Sequence, residues 1–386
     1  MQKKPLLIIF FVIFIDLLGF GIVIPILPYY AASFGATATN LGWLMMCYSA
    51  MQFLFSPFWG GLSDRIGRRP VILICLVGIG SSLVLLGMAK SMAWLFLARL
   101  LGGFFGANIS AATAYIADTT TTENRTKGMG IIGAAFGLGF LFGPALGGVL
   151  SRTSYGFPAL VAAGIAGLNF IFAFFFLKEP RLNEKERATH RSHLSLFFIR
   201  QTLQKQKIAW PILFFFLTTL GIAQLETAFG LFLLKRFHLD AYHAGLILAF
   251  IALVMVFIQG GAIGSLVKKF GEKNLIRGGS LLMTLGLALV AVSFLFNLSL
   301  VGFFIHALGY AVVNPSLAGL VSSETTGDVQ GSTMGVYHSA GSLGRIVGPL
   351  LAGRLFDSFG ESYPFLVACL FFVLVSFFAS VKLSQK

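Results

Sequence analysis

Charge is what this chain has least of. Only 11% of its 386 residues are Asp, Glu, Lys or Arg, and 57% are hydrophobic; mean hydropathy is +0.87. Soluble domains carry about 25% charged residues, so a soluble globular enzyme is excluded. Acidic groups are scarcer than basic ones, 14 against 28, which leaves a formal net charge of +14. Cysteine is rarer still: Cys47, Cys75 and Cys369 stand far apart. They have neither metal-ligand spacing nor the even count of a disulfide framework, and read as small packing residues. Also missing are a nucleotide-binding glycine loop ending in Lys-Ser/Thr, a nucleophile elbow and a metal cluster. No enzyme, metal or cofactor is therefore expected, and any work the protein does should draw on an ion gradient.

Apolar runs fill the space that charge leaves. They cover roughly residues 6–30, 41–60, 71–88, 92–117, 128–150, 158–177, 209–234, 243–266, 275–296, 299–321, 330–353 and 362–381. A bilayer crossing needs about 20 apolar residues. The chain accordingly reads as an all-α integral membrane protein with twelve transmembrane helices and short connections. The first run carries Asp16, Pro25 and Pro28, unlike the short uninterrupted core of a signal peptide, so it is expected to remain as a span.

The basic excess follows the connections. With a cytoplasmic N-terminus, Lys3, Lys4, Arg65, Arg68, Arg69, Arg125, Lys127 and the basic cluster from Lys178 to Lys207 all fall inside. Lys268, Lys269, Lys273, Arg277, Lys382 and Lys386 join them, while Lys90, Arg152, Lys235, Arg236 and Arg354 fall outside. The positive-inside rule places both termini in the cytoplasm. The charge is thus a topology signal, not a nucleic-acid footprint, and a bacterial plasma membrane is the expected location.

The one long polar stretch, 178–208, divides the chain into six-helix bundles at 1–177 and 209–386. The halves echo each other. Gly139-x-x-x-Gly143-Pro144-x-x-Gly147 recurs as Gly344-x-x-x-Gly348-Pro349-x-x-Ala352, 205 residues on. Gly60-Gly61-Leu62-Ser63-Asp64-Arg65-Ile66-Gly67-Arg68 recurs from Gly264 to Glu272, 204 residues on. Two nearly equal offsets argue for two pseudo-symmetric copies of one unit. Duplicated halves with a substrate path between them are the architecture of secondary transporters.

A charge inside a span costs at least about 2.5–3.5 kcal/mol on insertion scales. Asp16, Arg99, Glu226 and Arg345 lie clearly within spans, with His306 and His338 beside them in the same class of position. Asp16 sits near mid-depth, where burial and neighbouring charge both act on its proton affinity, so it can bind and release protons. A static bridge to Arg99 or Arg345 is the alternative. Glu226, Gln224, Gln52, Asn108, Gln259, His306 and Arg345 are the polar groups available to line a substrate cavity. Each is equally a candidate for hydrogen-bonded packing, and Glu226 for a position reaching the outer face. The glycines of the fifth span, Gly139, Gly143 and Gly147, make a flat stripe that lets another helix approach, and Pro144 removes a hydrogen bond and can bend the helix.

The string Gly60-Gly61-x-x-Asp64-Arg65-x-Gly67-Arg68-Arg69 resembles the loop motif of the major facilitator superfamily. Arg99-Leu-Leu-Gly-Gly103 and the glycine-proline string of span five resemble two motifs of its twelve-helix drug:proton antiporter branch. The stretch from Asp16 to Pro28 is similar to the first helix of tetracycline efflux proteins. The resemblance implies a major facilitator fold and a monomer that exchanges a small-molecule substrate, an amphipathic organic compound, for protons across the bilayer. It implies proton coupling by Asp16 and Arg99. It also implies gating by Gly60, Gly61, Asp64, Arg65, Gly67, Arg68 and Arg69 with Gly139, Gly143, Pro144, Gly147, Gly348 and Pro349. Lys268 replaces the loop aspartate in the second copy, so an asymmetric gate is expected. Spans three and nine lack the further acids of the tetracycline proteins, which argues against tetracycline as substrate, and against its metal chelate above all. On the same scaffold, a proton symporter or facilitator importing a small metabolite is the alternative.

Overall fold

The computed structural model describes residues 3–119, 125–180, 196–325 and 329–383. Among these every element is helical: α1 (Lys3–Val23), α2 (Leu27–Ser33), α3 (Ala38–Ile66), α4 (Arg68–Gly87), α5 (Met92–Gly106), α6 (Ile109–Thr119), α7 (Arg125–Leu150) and α8 (Phe157–Phe176). There follow α9 (Leu196–Gln204), α10 (Gln206–Phe237), α11 (Ala241–Phe257), a π-helical turn (Ile258–Ala262), α12 (Ile263–Phe270) and α13 (Glu272–Val292). The last three are α14 (Phe296–Ser323), α15 (Gln330–Phe359) and α16 (Tyr363–Lys382). The centre of the expected linker, 181–195, lies outside the described residues.

Each of the expected spans falls on helix. Nine stretches of the described residues are long and apolar enough to cross a membrane. The spans expected at 41–60, 128–150 and 330–353 lie on α3, α7 and α15, whose Gly, Ser and Thr content lowers their hydropathy; in α7 the apolar part is Gly137–Leu150. Two spans are interrupted. The first breaks between Val23 and Leu27, where Pro25 has no N–H to donate. The fourth breaks between Gly106 and Ile109, leaving Asn108 at the joint.

The helices gather into two compact units. One holds residues 1–36, 47–191 and 239–249. Its organising contact is α1 on α7. A Cβ added at Gly143 would lie 2.7 Å from the Gly21 backbone, one at Gly139 2.8 Å from the Leu17 Cβ, and one at Gly147 would strike the Ile22 carbonyl oxygen. Small residues thus bring the two backbones together, which is how helices associate where lipid is as apolar as leucine. Around this seam Ile9, Ile13, Val71, Ile72, Cys75, Ala111, Tyr115 and Ala173 form a closed apolar cluster.

The other unit holds 37–46, 192–238 and 250–386. Here α13 and α14 make the glycine seam: a Cβ on Gly302 would sit 2.6 Å from the Gly286 carbonyl oxygen, and one on Gly309 2.8 Å from the Met283 nitrogen. On α10, Ala223 receives Gly348 of α15, whose added Cβ would come within 2.7 Å.

The ends of the helices remote from residues 178–208 are closed differently in the two units. In the second unit the Asp357 carboxylate accepts hydrogen bonds from the Ala38 N–H (3.0 Å) and the Thr39 N–H (2.7 Å), capping the start of α3. Gly42 packs on the Pro349 carbonyl beneath it. In the first unit Arg152 lies over the Tyr242 ring, 3.6 Å from its centroid, while Gly245 packs on the Pro144 carbonyl.

Candidate transport site

In the first unit, the four-residue turn of α1 puts Asp16 and Phe20 on one face. Asp16 is half-buried, and its one hydrogen bond among the described residues is a long one, accepted from the Asn108 side-chain amide at 3.4 Å. Asn108 reaches it because the joint between α5 and α6 frees that position from regular helix. Arg99 projects from α5 and stacks on the Tyr48 ring of α3, its guanidinium carbon 4.1 Å from the centroid. Tyr48 is held there by glycine: a Cβ on Gly103 would strike the Tyr48 carbonyl, and one on Gly106 would lie 2.6 Å from its hydroxyl. Gln52, one turn along α3, donates to the Gly106 carbonyl at 2.9 Å. Asp16 and Arg99 share a unit, but neither bonds the other.

In the second unit, Glu226 of α10 is half-buried, and Arg345 of α15 is the opposite charge that acts on it. Tyr310 of α14 lies within electrostatic reach of both, and His338 of α15 within reach of Arg345. No ion pair closes between Glu226 and Arg345. Gln224 is fully buried with both ends of its amide unpartnered, and Gln259 of the π turn has a sealed, unpartnered Nε2. His306 stands apart from these groups: its Nδ1 is 3.2 Å from the Met283 carbonyl oxygen and its ring packs 5.6 Å from Phe372.

The loop motif builds a charge cluster around Arg68, which is 5% exposed. Its guanidinium pairs with Asp64, with Asp118 at 2.9 Å, and donates to the Ser63 hydroxyl at 2.6 Å. The Glu179 carboxylate accepts the N–H groups of Arg68 (2.7 Å) and Arg69 (2.8 Å), capping α4. Gly67 is required for this: its φ is +105°, and a Cβ there would come within 2.8 Å of the Glu179 carboxyl carbon. Arg69 donates to the Phe174 carbonyl at 2.6 Å. Gly60 faces Ser110, Gly61 has open space around it, and Arg65 is exposed. Asp118 and Glu179 complete this cluster, and the sequence does not single them out. Both stand at span ends, where a charge is ordinary and gives no signal.

Charges set within long apolar helices, together with a capped loop cluster, fit a membrane transporter of small molecules. Comparison with known proteins agrees. The family model of the Major Facilitator Superfamily matches residues 9–349 and again 262–385. Multidrug resistance protein 2 of Bacillus subtilis (strain 168) is 33% identical over 375 residues, covering 95% of this chain and 92% of that protein. The class E tetracycline resistance protein of Escherichia coli is 32% identical over 368 residues, covering 94% and 90%. Among solved structures, a bacterial homologue of the human lysosomal transporter Spinster, in an inward-facing and occupied conformation, superposes with a TM-score of 0.82. It is 14% identical and covers 100% of this chain and 97% of that one, a likeness of fold. The chain belongs to the Major Facilitator Superfamily.

Proposed function

We propose that this protein exports amphipathic organic compounds, drugs among them, in exchange for protons, with Asp16 as the group that carries the proton. The observation that bears most weight is Asp16 itself, a carboxylate within an apolar span whose only hydrogen-bond partner among the described residues is a neutral amide. Such a group can gain or lose a proton without breaking an ion pair. Arg99 supplies the positive charge of the same unit. The resistance proteins it resembles carry the export direction into this reading. Glu226, Gln224, Gln52, Asn108, Gln259 and Arg345 serve as polar contacts of the substrate path. Substrate crosses unchanged, no cofactor takes part, and one chain with both termini in the cytoplasm of a bacterial cell suffices.

The test uses purified protein in proteoliposomes holding a pH-sensitive dye, an imposed proton gradient and a panel of amphipathic drugs that includes tetracyclines. Drug-dependent proton movement is expected in the wild type and is lost in Asp16→Asn. Uptake of a metabolite together with protons, with no response to any drug, would place the protein among importers. Equal drug-driven proton movement in Asp16→Asn would assign the proton to another group.

A further inference from the structure

Arg99 is an anomaly that proton carriage leaves unexplained. It is 7% exposed within an apolar helix, its Nε is sealed and unpartnered, and no hydrogen bond or ion pair to it occurs among the described residues. The Tyr48 ring lies against its guanidinium. A guanidinium has a flat face and a donor edge. The face suits an aromatic ring, and the edge suits a planar carboxylate, which it can bind through two parallel hydrogen bonds. Tyr48 occupies the face, so the edge is left to meet something the chain does not provide.

The surroundings indicate what kind of molecule would bring that carboxylate. Tyr48 continues into an aromatic wall: its ring centroid is 5.3 Å from that of Phe20, which is 6.0 Å from that of Phe140. All three rings are half-buried. The glycines of α5 fix Tyr48, so the wall and the guanidinium keep a set spacing. The carboxylate within this unit's first span, Asp16, accepts from Asn108 and makes no hydrogen bond with Arg99.

We propose that Arg99, Tyr48 and Phe20 form a subsite for an aromatic carboxylate, the acid group meeting the guanidinium edge and the ring system lying along the aromatic wall. The subsite adjoins Asp16, which lies one turn from Phe20 on the same face of α1 and within electrostatic reach of Tyr48. This rests on the transporter reading above, and it adds a substrate class to it.

The test is equilibrium binding to the purified full-length protein in detergent at pH 7.5, followed by naphthalene fluorescence anisotropy. The probes are 2-naphthoate and its methyl ester, with a rhodamine cation as a separate probe of general drug binding. The wild type should bind the acid about tenfold more tightly than the ester, since a charge-assisted bidentate pair is lost with the ester. That ratio should fall to about one in Arg99→Gln and recover partly in Arg99→Lys, which restores a charge without the fork. It should persist in Tyr48→Phe, which keeps the ring. Size-exclusion profile and thermal unfolding check that each variant is folded.

Equal binding of acid and ester by the wild type overturns the subsite, as does a ratio that survives in folded Arg99→Gln. Formate that displaces bound 2-naphthoate with an affinity equal to that of 2-naphthoate itself would reduce it to a small-anion site and overturn the aromatic class. If the rhodamine binds and neither naphthyl compound does, the subsite fails while the exporter reading stands. If nothing on either list of probes binds or moves protons, the exporter reading fails with it.

Discussion

A side-chain amide sealed inside a bundle with nothing to bond costs about 1–3 kcal/mol. Gln224 is such a residue, fully buried with both Oε1 and Nε2 unpartnered. On the function proposed above, retaining it trades stability for a polar group of the substrate path. Gln224→Leu is therefore expected to raise the thermal stability of the detergent-solubilised protein by a few degrees while drug-driven proton movement falls. Unfolding curves and the proteoliposome assay, run on the same preparation, check both halves of that expectation. At this scale the sequence is informative where a residue type is out of place. Asp16, Arg99, Glu226 and Arg345 are legible because a charge stands out in an apolar run. Tyr48 and Tyr310 are not, because aromatic residues abound: the chain has nine Tyr and 42 Phe, and nothing local marks the one that stacks on Arg99 or the one within electrostatic reach of Glu226 and Arg345.

Helices in this protein are fitted by glycine, and the fit has a direction. On α7 the face bearing Gly139, Gly143 and Gly147 lies against α1, and a Cβ at Gly147 meets the Ile22 carbonyl oxygen, an atom that cannot swing aside. Gly147→Ala should lower stability by about 1–3 kcal/mol through overpacking. Gly164→Ala on α8, where nothing lies within 4 Å, should be neutral or slightly stabilising, since alanine is the better helix former. Thermal unfolding of the two variants side by side distinguishes a packed glycine from an incidental one. The α7 stripe is legible in the sequence because its four-residue spacing brackets a proline. The seam between α13 and α14 is not. Gly279, Gly286, Gly302 and Gly309 are spread over two helices, and among 45 glycines their pattern has no contrast. The breaks in the first and fourth spans divide in the same way: Pro25 announces the one, while Asn108 gives the other no local signal.

For the molecule as a whole, duplication at offsets of 204 and 205 residues is legible, and so is the departure at Lys268. What the repeat conceals is that matching positions carry opposite chemistry at the far ends of the helices. Burial alone would raise the proton affinity of Asp357, but hydrogen bonds from Thr39 and Ala38 outweigh it and hold the carboxyl below its ordinary value. A carboxylate depressed in the folded state adds stability that is present above its unfolded pKa, about 3.9, and is lost as pH falls through the folded value. Asp357→Ala should therefore unfold earlier than wild type at pH 7, with the gap closing as the pH drops below about 4. Thermal unfolding across that range checks it; a gap independent of pH would mean that the carboxylate charge contributes nothing to the cap.

Asp357 stands 205 residues after Arg152, so the two are the same position in the two copies. A pair of identical chains encoded by one gene must carry the same side chain at such a position in both members. Neither residue could do the other's work: an arginine offers no acceptor to the N–H groups of α3, and an aspartate has no cation to lay on a tyrosine ring. The present division of labour is open only to a protein whose two copies have been joined into one reading frame and have since been free to drift apart.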